Sequence, residues 1–395
     1  MIGAQSHHIS DRPIIHTTTK AASMNESAPN PSSFSPTPAG ALGRGLIALC
    51  RPGFEKELAA ELDAYTNACG LSGFARAVPG SGVVVHESPI SESFDDWAEH
   101  SEWRRFIFAR QVSVWFAHVS DLPETDRATP LALAARTAGQ RFSQVSLEHT
   151  DTDAARPLSG FCRRFQAPLE KVLHINGVLR PGRKQPNHLR VLFTGAGEAW
   201  LSASRPGTAA PWPMGIARLR MPREAGSRST LKLAEAIQGL LSEEERERLF
   251  RGGMRAVDLG AAPGGWSWQL AWRGLRVTAV DNGRMAESVL ATDMVEHVRA
   301  DGFNWRPRGT VDWVVCDMVE QPARIAALMG EWIGARRARH AIFNLKLPMK
   351  KRLAAIQECR TLIHTRLSGV GAYDLRIKHL YHDREEVTAY LTLRG

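Results

Sequence analysis

Residues 257–266 combine residue types that suit the binding of a nucleotide-like cofactor. They read Val-Asp-Leu-Gly-Ala-Ala-Pro-Gly-Gly-Trp, an apolar strand followed by a turn with almost no side chains. Glycine has no Cβ to hold a ligand away from the backbone, and the helix expected over 266–272 offers unpaired N–H groups at its start. We therefore expect a cofactor to contact this turn at Ala262, Pro263, Gly264 and Gly265.

Two aspartates follow the turn in positions that suit a nucleoside. Asp281 ends an apolar run about 20 residues after the glycines, where a carboxylate can accept hydrogen bonds from both ribose hydroxyls. Asp301 lies where a third strand would end, and its carboxylate can accept a hydrogen bond from the amino group of adenine. An ordinary Asp-Gly turn explains this aspartate nearly as well. We expect both carboxylates to contact the cofactor.

Asp317 and Lys346 are the candidates for acid–base chemistry. Asp317 follows the strand expected over 312–316, and Lys346 follows the strand expected over 340–345. Lysine is almost never buried unpaired, so a lysine that ends a buried strand needs carboxylate partners or water. We expect the two side chains to project into one crevice; a purely structural ion pair is the alternative.

The elements that must position these residues alternate between helix and strand. From residue 229 onward the pattern predicts strands over 254–259, 276–280, 312–316, 340–345 and 386–393, with helices over 230–241, 265–273, 321–334 and 349–367. Alternation of this kind is typical of a doubly wound α/β sheet, whose ligands bind at the carboxyl ends of the strands. Residues 229–395 are therefore predicted to form a Rossmann-like catalytic domain.

The N-terminal part is organised differently. Residues 1–42 lack any apolar period and are predicted to be a disordered extension. Residues 43–122 and 123–210 each mix short strands with helices and are predicted to be two α+β domains, which a basic linker at 211–228 joins to the catalytic domain. In the second of them, basic residues beside aromatic ones would bind RNA or simply be solvated: Arg163, Arg164, Arg180, Arg183 and Lys184.

The composition indicates which classes of partner the protein can bind and where it acts. The 395-residue chain carries a formal net charge of +9, which favours a polyanion, with nucleic acid ahead of a membrane surface. No stretch approaches the roughly 18 apolar residues of a membrane span, and no secretory signal is present, so we expect a soluble intracellular protein. Five cysteines without a C-x-x-C pair indicate a reducing compartment and no metal site.

Several segments together resemble the RlmM family of large-subunit ribosomal RNA 2′-O-ribose methyltransferases. The turn is similar to the D-x-G-x-x-P-G-G motif of S-adenosylmethionine-dependent enzymes that act on RNA ribose. The resemblance covers most of the chain and implies ferredoxin-like and THUMP RNA-binding domains before a Rossmann-like methyltransferase domain. The long N-terminal extension departs from the family pattern. The segments lie at 49–57, 228–233, 258–266, 280–283, 316–320, 344–351 and 381–388.

The resemblance also implies site residues and a substrate. The Lys-Asp-Lys-Glu tetrad of ribose 2′-O-methyltransferases falls on Lys232, Asp317, Lys346 and Glu386. Glu385 is the alternative fourth member, but it would face the opposite side of the same strand. Lys346 would accept the 2′-hydroxyl proton of a cytidine in 23S ribosomal RNA, and Ser229 and Asp317 would join the S-adenosylmethionine contacts. A cytoplasmic monomer is expected.

Other functions share parts of this pattern. A nitrogen-methylating enzyme typically carries [DN]-P-P-[YF] where this chain has Asp-Met-Val-Glu at 317–320. A carbon-5 methylating enzyme needs a nucleophilic cysteine, and Cys316 is expected in the core because it precedes Asp317 in the strand. A non-catalytic RNA-binding assembly factor remains an alternative function. A nicotinamide-dependent oxidoreductase is disfavoured because the chain lacks the G-x-G-x-x-G pattern of that class.

Overall fold

The computed structural model describes residues 43–89, 94–180, 182 and 187–394. The predicted extension at 1–42 and the basic residues Arg183 and Lys184 lie outside this part of the chain. Among the described residues, no helix is both long enough and apolar enough to cross a membrane.

One continuous sheet spans the N-terminal part. Its strand order is β2-β3-β1-β4-β7-β6-β5, and all neighbours are antiparallel except β5 and β6. The pairing of β4 with β7 joins regions 43–122 and 123–210 in a single sheet, while their limits as separate domains stay a prediction. The strands are β1 (Leu46–Leu49), β2 (Phe74–Ala77), β3 (Val83–Glu87), β4 (Gln111–Val119), β5 (Gln144–His149), β6 (His188–Gly195) and β7 (Glu198–Ser204).

Helices cover this sheet with apolar faces that the sequence spacing predicts. Phe54, Leu58 and Leu62, four residues apart, are all buried at the start of and along the first helix. The helices are α1 (Glu55–Ala68), α2 (Phe94–Glu99), α3 (Ala128–Arg136) and α4 (Arg156–Ile175).

The C-terminal part is a doubly wound sheet, as predicted. Its order is β10-β9-β8-β11-β12-β14-β13; the first five strands are parallel, and β14 runs antiparallel to both of its neighbours. The chain order reverses between β8 and β11, where such sheets bind ligands. The strands are β8 (Arg255–Leu259), β9 (Arg276–Val280), β10 (Val295–Val298), β11 (Val311–Cys316), β12 (Ala338–Lys346), β13 (Tyr373–Lys378) and β14 (Glu386–Leu393).

Six helices accompany this sheet in the described chain, and four elements were not predicted: strands β10 and β13 and the helices Glu243–Leu249 and Glu287–Leu290. Strands β10 and β13 lie at the two sheet edges and carry mostly half-buried residues, so their apolar alternation is weak. Helix α6 is polar almost all round, and its only strong signal is the capping box between Ser242 and Glu245. The helices are α5 (Thr230–Leu240), α6 (Glu243–Leu249), α7 (Gly265–Trp272), α8 (Glu287–Leu290), α9 (Pro322–Gly334) and α10 (Arg352–Leu367).

A buried lysine holds the two sheets together. The Lys378 ammonium, at the end of β13, donates to the carbonyls of Trp103, Phe106 and Ala109 at 2.8, 2.6 and 2.5 Å. Burial lowers the pKa of Lys378 to about 7, but three carbonyl acceptors need three N–H donors, so we assign the charged form. These contacts hold residues 106–109 as a loop ahead of β4, although the apolar run of the sequence already starts at Phe106.

Candidate active site

The glycine turn at the end of β8 leaves bare backbone beside a cleft. Gly260 has a φ of 74°, and a Cβ added to it would lie 2.3 Å from Cγ of Met318. Asp258, just before the turn, is buried and accepts a hydrogen bond from the Ser267 hydroxyl at 2.7 Å. Burial raises the pKa of Asp258 to about 7. Asp258 therefore ties the turn to α7 rather than facing a ligand.

The cleft has a volume of about 400 Å³ and lies at the carboxyl ends of β8, β9 and β11. Asp281 is held on its rim by the backbone N–H groups of Ala262 at 3.0 Å and Gly283 at 2.6 Å. Asp301 is held by the N–H of Phe303 at 2.9 Å. Of the predicted cofactor contacts, four line this cleft: Ala262, Asp281, Asp301 and Asp317.

The other predicted contacts do not line the cleft: Ser229, Pro263, Gly264 and Gly265. A Cβ on Gly264 would come within 2.9 Å of Cε of Met285, and a Cβ on Gly265 within 2.3 Å of Oγ of Ser229. The Pro263 carbonyl accepts the N–H of Ala286 at 2.9 Å. These residues let α7 pack closely against its neighbours, and their contact with a cofactor stays a prediction.

The cleft fits the S-adenosylmethionine that the resemblance implies. Its volume lies within the roughly 300–1,000 Å³ typical of small-molecule sites. It combines bare backbone at Gly260 with two fixed carboxylates and the half-buried ring of Phe303. Sequence reasoning missed Met318 and Phe303, although each lies within two residues of a predicted aspartate.

The four tetrad residues meet next to this cleft. Lys232 lies in the first turn of α5, Asp317 follows β11, Lys346 ends β12, and Glu386 begins β14. The Asp317 carboxylate lies 3.4 Å from Nζ of Lys232 through one oxygen and 3.4 Å from Nζ of Lys346 through the other. Glu386 forms ion pairs with the same two lysines. Two carboxylates thus bridge two ammonium groups.

Strand register explains why Glu386, and not Glu385, reaches the lysines. Lys346 and Glu386 are direct partners across the antiparallel pair of β12 and β14. Glu385 instead accepts a hydrogen bond from Arg352 at 2.8 Å.

Burial sets the proton affinities of the site. It lowers the pKa of Lys346, and the neighbouring Lys232 ammonium lowers it further, while the Asp317 carboxylate acts in the opposite direction. Burial also raises the pKa of the Cys316 thiol to about 12, so this cysteine is an inert core residue.

The histidines near the site pack and hydrogen-bond within the protein. His379 packs against the ring of Phe54 with centroids 4.1 Å apart, and His382 hydrogen-bonds Glu235 at 2.5 Å. Within the described ranges, no group of three or more His, Cys, Asp or Glu residues is arranged to hold a metal ion.

Three family models match successive segments of the chain. The RlmM ferredoxin-like domain matches residues 44–113, the N-terminal region of ribosomal RNA large subunit methyltransferase M matches 126–205, and the FtsJ-like methyltransferase matches 225–344. The order of the matches agrees with the two sheets described above.

Relatives named ribosomal RNA large subunit methyltransferase M match nearly the whole chain. The protein from Aromatoleum aromaticum is 62% identical over 360 residues, which cover 91% of this chain and 98% of the relative. The protein from Thauera aminoaromatica is 60% identical over 359 residues, covering 91% and 99%. A relative from Xanthomonas campestris pv. campestris is 46% identical over 353 residues, covering 89% and 99%. The chain therefore belongs to the ribosomal RNA large subunit methyltransferase M family and is an S-adenosylmethionine-dependent methyltransferase.

Proposed function

We propose that this protein methylates the ribose 2′-hydroxyl of a cytidine in large-subunit ribosomal RNA, with Lys346 as the proton acceptor. The observation that carries the proposal is the cluster of Lys232, Asp317, Lys346 and Glu386 beside the cofactor cleft. The names of the relatives support a ribosomal RNA substrate, and the cytidine rests on the family resemblance alone.

The chemistry requires a base in this position. Bound S-adenosylmethionine supplies an electrophilic methyl group. A ribose hydroxyl is a poor nucleophile because its pKa lies far above neutrality, so a base must remove its proton as it attacks. The lowered pKa of Lys346 increases the neutral fraction of its amine, and the neutral nitrogen takes the hydroxyl proton. Asp317 and Glu386 hold the amine in place, and Lys232 opposes its protonation.

Exposed apolar side chains follow two of the tetrad residues closely in sequence. Val319 follows Asp317 by two residues and is 89% exposed, and Met349 follows Lys346 by three residues and is 86% exposed. They are the most exposed large apolar residues among those described. Exposed apolar groups beside a cationic site are suited to a nucleobase carried on a phosphate backbone.

The proposal is tested with methyl-labelled S-adenosylmethionine and large-subunit RNA that lacks its own modification. RNA treated with wild-type protein, Lys346→Ala or Lys350→Ala is digested to nucleosides, and S-adenosylmethionine affinity is measured for each variant. We expect label in 2′-O-methylcytidine with wild type and with Lys350→Ala, whose lysine is exposed on the same loop. Lys346→Ala should lower kcat by about 100-fold or more with cofactor affinity retained.

The contrary outcomes are distinct. Label on a base, or wild-type kcat in Lys346→Ala, would remove Lys346 as the proton acceptor. Cofactor binding without any label would favour a non-catalytic RNA-binding factor.

A further inference from the structure

A buried chain of hydrogen bonds leads away from the Asp317 carboxylate. Nδ2 of Asn344 lies 2.7 Å from Oδ1 of Asp317, and Oδ1 of Asn344 lies 2.7 Å from the Thr388 hydroxyl. The same hydroxyl lies 3.0 and 3.3 Å from the two carboxyl oxygens of Asp383. Asn344, Thr388 and Asp383 are all fully buried.

Strand register brings this chain together. Asn344 and Thr388 are partners across β12 and β14, two residues before Lys346 and two after Glu386. Side chains two apart on a strand share a face, so the same face of the sheet carries the tetrad members and the chain behind them. Leu345 and Val387, the partners between these two pairs, are buried apolar residues.

The direction of each hydrogen bond follows from Asp317. An ionised carboxylate only accepts, so the Asn344 amide must turn its NH₂ group toward Asp317 and its oxygen toward Thr388. The Thr388 hydroxyl has one proton, which it donates to that oxygen. Asp383 must therefore donate to Thr388, and this requires a protonated carboxyl group.

The surroundings of Asp383 favour that proton. Burial raises the pKa of Asp383 to about 8, and the nearby Glu235 carboxylate raises it, while the Lys232 ammonium lowers it. The Lys346 ammonium also interacts with Asp383, and the Arg51 guanidinium lies at its backbone carbonyl. The backbone N–H of Leu380 donates to Oδ2 of Asp383 at 3.1 Å, which leaves Oδ1, 3.3 Å from the Thr388 hydroxyl, to carry the proton.

The N-terminal part holds the backbone of Asp383. Arg51, in the loop between β1 and α1, donates to the carbonyl of Asp383 at 2.9 Å and to that of Tyr381 at 3.3 Å. The same N-terminal loop also contacts α10, because Arg352 donates to the Gly53 carbonyl at 3.2 Å and its guanidinium lies 4.1 Å from the ring centroid of Phe54.

We infer that protonated Asp383, Thr388 and Asn344 form a positioning relay, which fixes the Asp317 carboxylate between the two lysines and which Arg51 ties to the N-terminal part. The inference rests on the proposed function, since it assigns these residues to the alignment of Lys346. They are positioning residues that do not touch the substrate.

The relay is tested with Thr388→Val, Thr388→Ser and Asp383→Asn, beside wild type and Lys346→Ala. Valine keeps the shape of threonine and loses the hydroxyl, serine keeps the hydroxyl, and an asparagine at 383 can donate to Thr388 through Nδ2. For each full-length protein, kcat, KM for RNA, cofactor affinity, melting temperature and the dependence of kcat on pH are measured.

We expect Thr388→Val to lower kcat by about tenfold or more at an unchanged KM for RNA. The acid-side limb of its kcat–pH profile should move to lower pH, because a displaced Asp317 no longer favours the protonated form of Lys346. Thr388→Ser and Asp383→Asn should keep kcat within about threefold of wild type, a difference below 1 kcal/mol.

The relay would be overturned if Thr388→Val kept the kcat and the kcat–pH profile of wild type. A tenfold loss of kcat in Asp383→Asn would overturn it as well. If Thr388→Val does not fold, the kcat of Asp383→Asn decides alone. Full activity of Lys346→Ala would instead contradict the proposed function, so the two failures are distinguishable.

Discussion

Lys232 and Lys346 lie on either side of the Asp317 carboxylate, so each ammonium changes the proton affinity of the other. The pKa of Lys346 is lowered by burial first and by Lys232 second. Activity requires the neutral amine of Lys346, and the neutral fraction grows as the pH rises through its pKa. The acid-side limb of the kcat–pH profile, on which activity rises with pH, therefore reports on this pair of lysines.

Lys232→Gln should move the acid-side limb of the kcat–pH profile to higher pH, and it should lower kcat. Removing the second positive charge makes the protonated form of Lys346 more favourable, which raises its pKa. The measurement is kcat against pH with saturating RNA and cofactor, and Lys350→Gln serves as the control. A limb that stays in place would mean that Lys232 does not influence the base.

Side chains that follow strand ends were predictable, and side chains that depend on register were not. Asp317 and Lys346 could be placed because each follows an apolar run that reads as a strand. Asn344 and Thr388 belong to the same motifs, but their contact depends on the alignment of β12 with β14. One sequence does not contain that alignment, because a one-residue slip would turn every side chain to the other face.

At the scale of elements, the turn between β8 and α7 connects the strand to the helix and lies beside the cofactor cleft. Its backbone is held on one side by the hydrogen bond from Ser267 to Asp258 and on the other by the contact of Gly260 with Met318. The sequence predicted this turn well because Gly and Pro mark it directly. Edge strands β10 and β13 carry no such marks, and they form through pairing with β9 and β14.

Gly260→Ala should weaken S-adenosylmethionine binding by about tenfold. Its φ of 74° costs an L-residue about 1–2 kcal/mol, and the new Cβ would push the Met318 side chain within the cleft. Calorimetric titration with the cofactor measures the change. The matched control is Gly252→Ala, just before β8, where a Cβ meets nothing within 4 Å. Equal affinities in both variants would count against a cofactor at this turn.

At the scale of the whole molecule, the two sheets meet through buried polar contacts. The Lys378 ammonium holds three carbonyls of residues 103–109, and Glu61 of α1 accepts the N–H groups of Ile107 and Phe108 from the other side. The sequence predicted both parts but not this contact, because a lysine and a glutamate usually indicate exposed positions.

Lys378→Met should lower the free energy of unfolding by about 3 kcal/mol, because it leaves buried carbonyls without donors. The melting temperature should therefore fall by several degrees, and Lys350→Met, which changes an exposed lysine, should leave it unaltered. An unchanged melting temperature in Lys378→Met would show that the contact does not stabilise the fold.

The continuous N-terminal sheet has a consequence for exchanging parts between relatives. Strand β4 hydrogen-bonds β1 on one side and β7 on the other. The segments 44–113 and 126–205 that the first two family models match therefore share one sheet and cannot be separated between strands. A chimera joined near residue 120 would set strands of different ancestry against each other along a nine-residue strand. We therefore expect that residues 43–204 must be exchanged as one unit for the sheet to form.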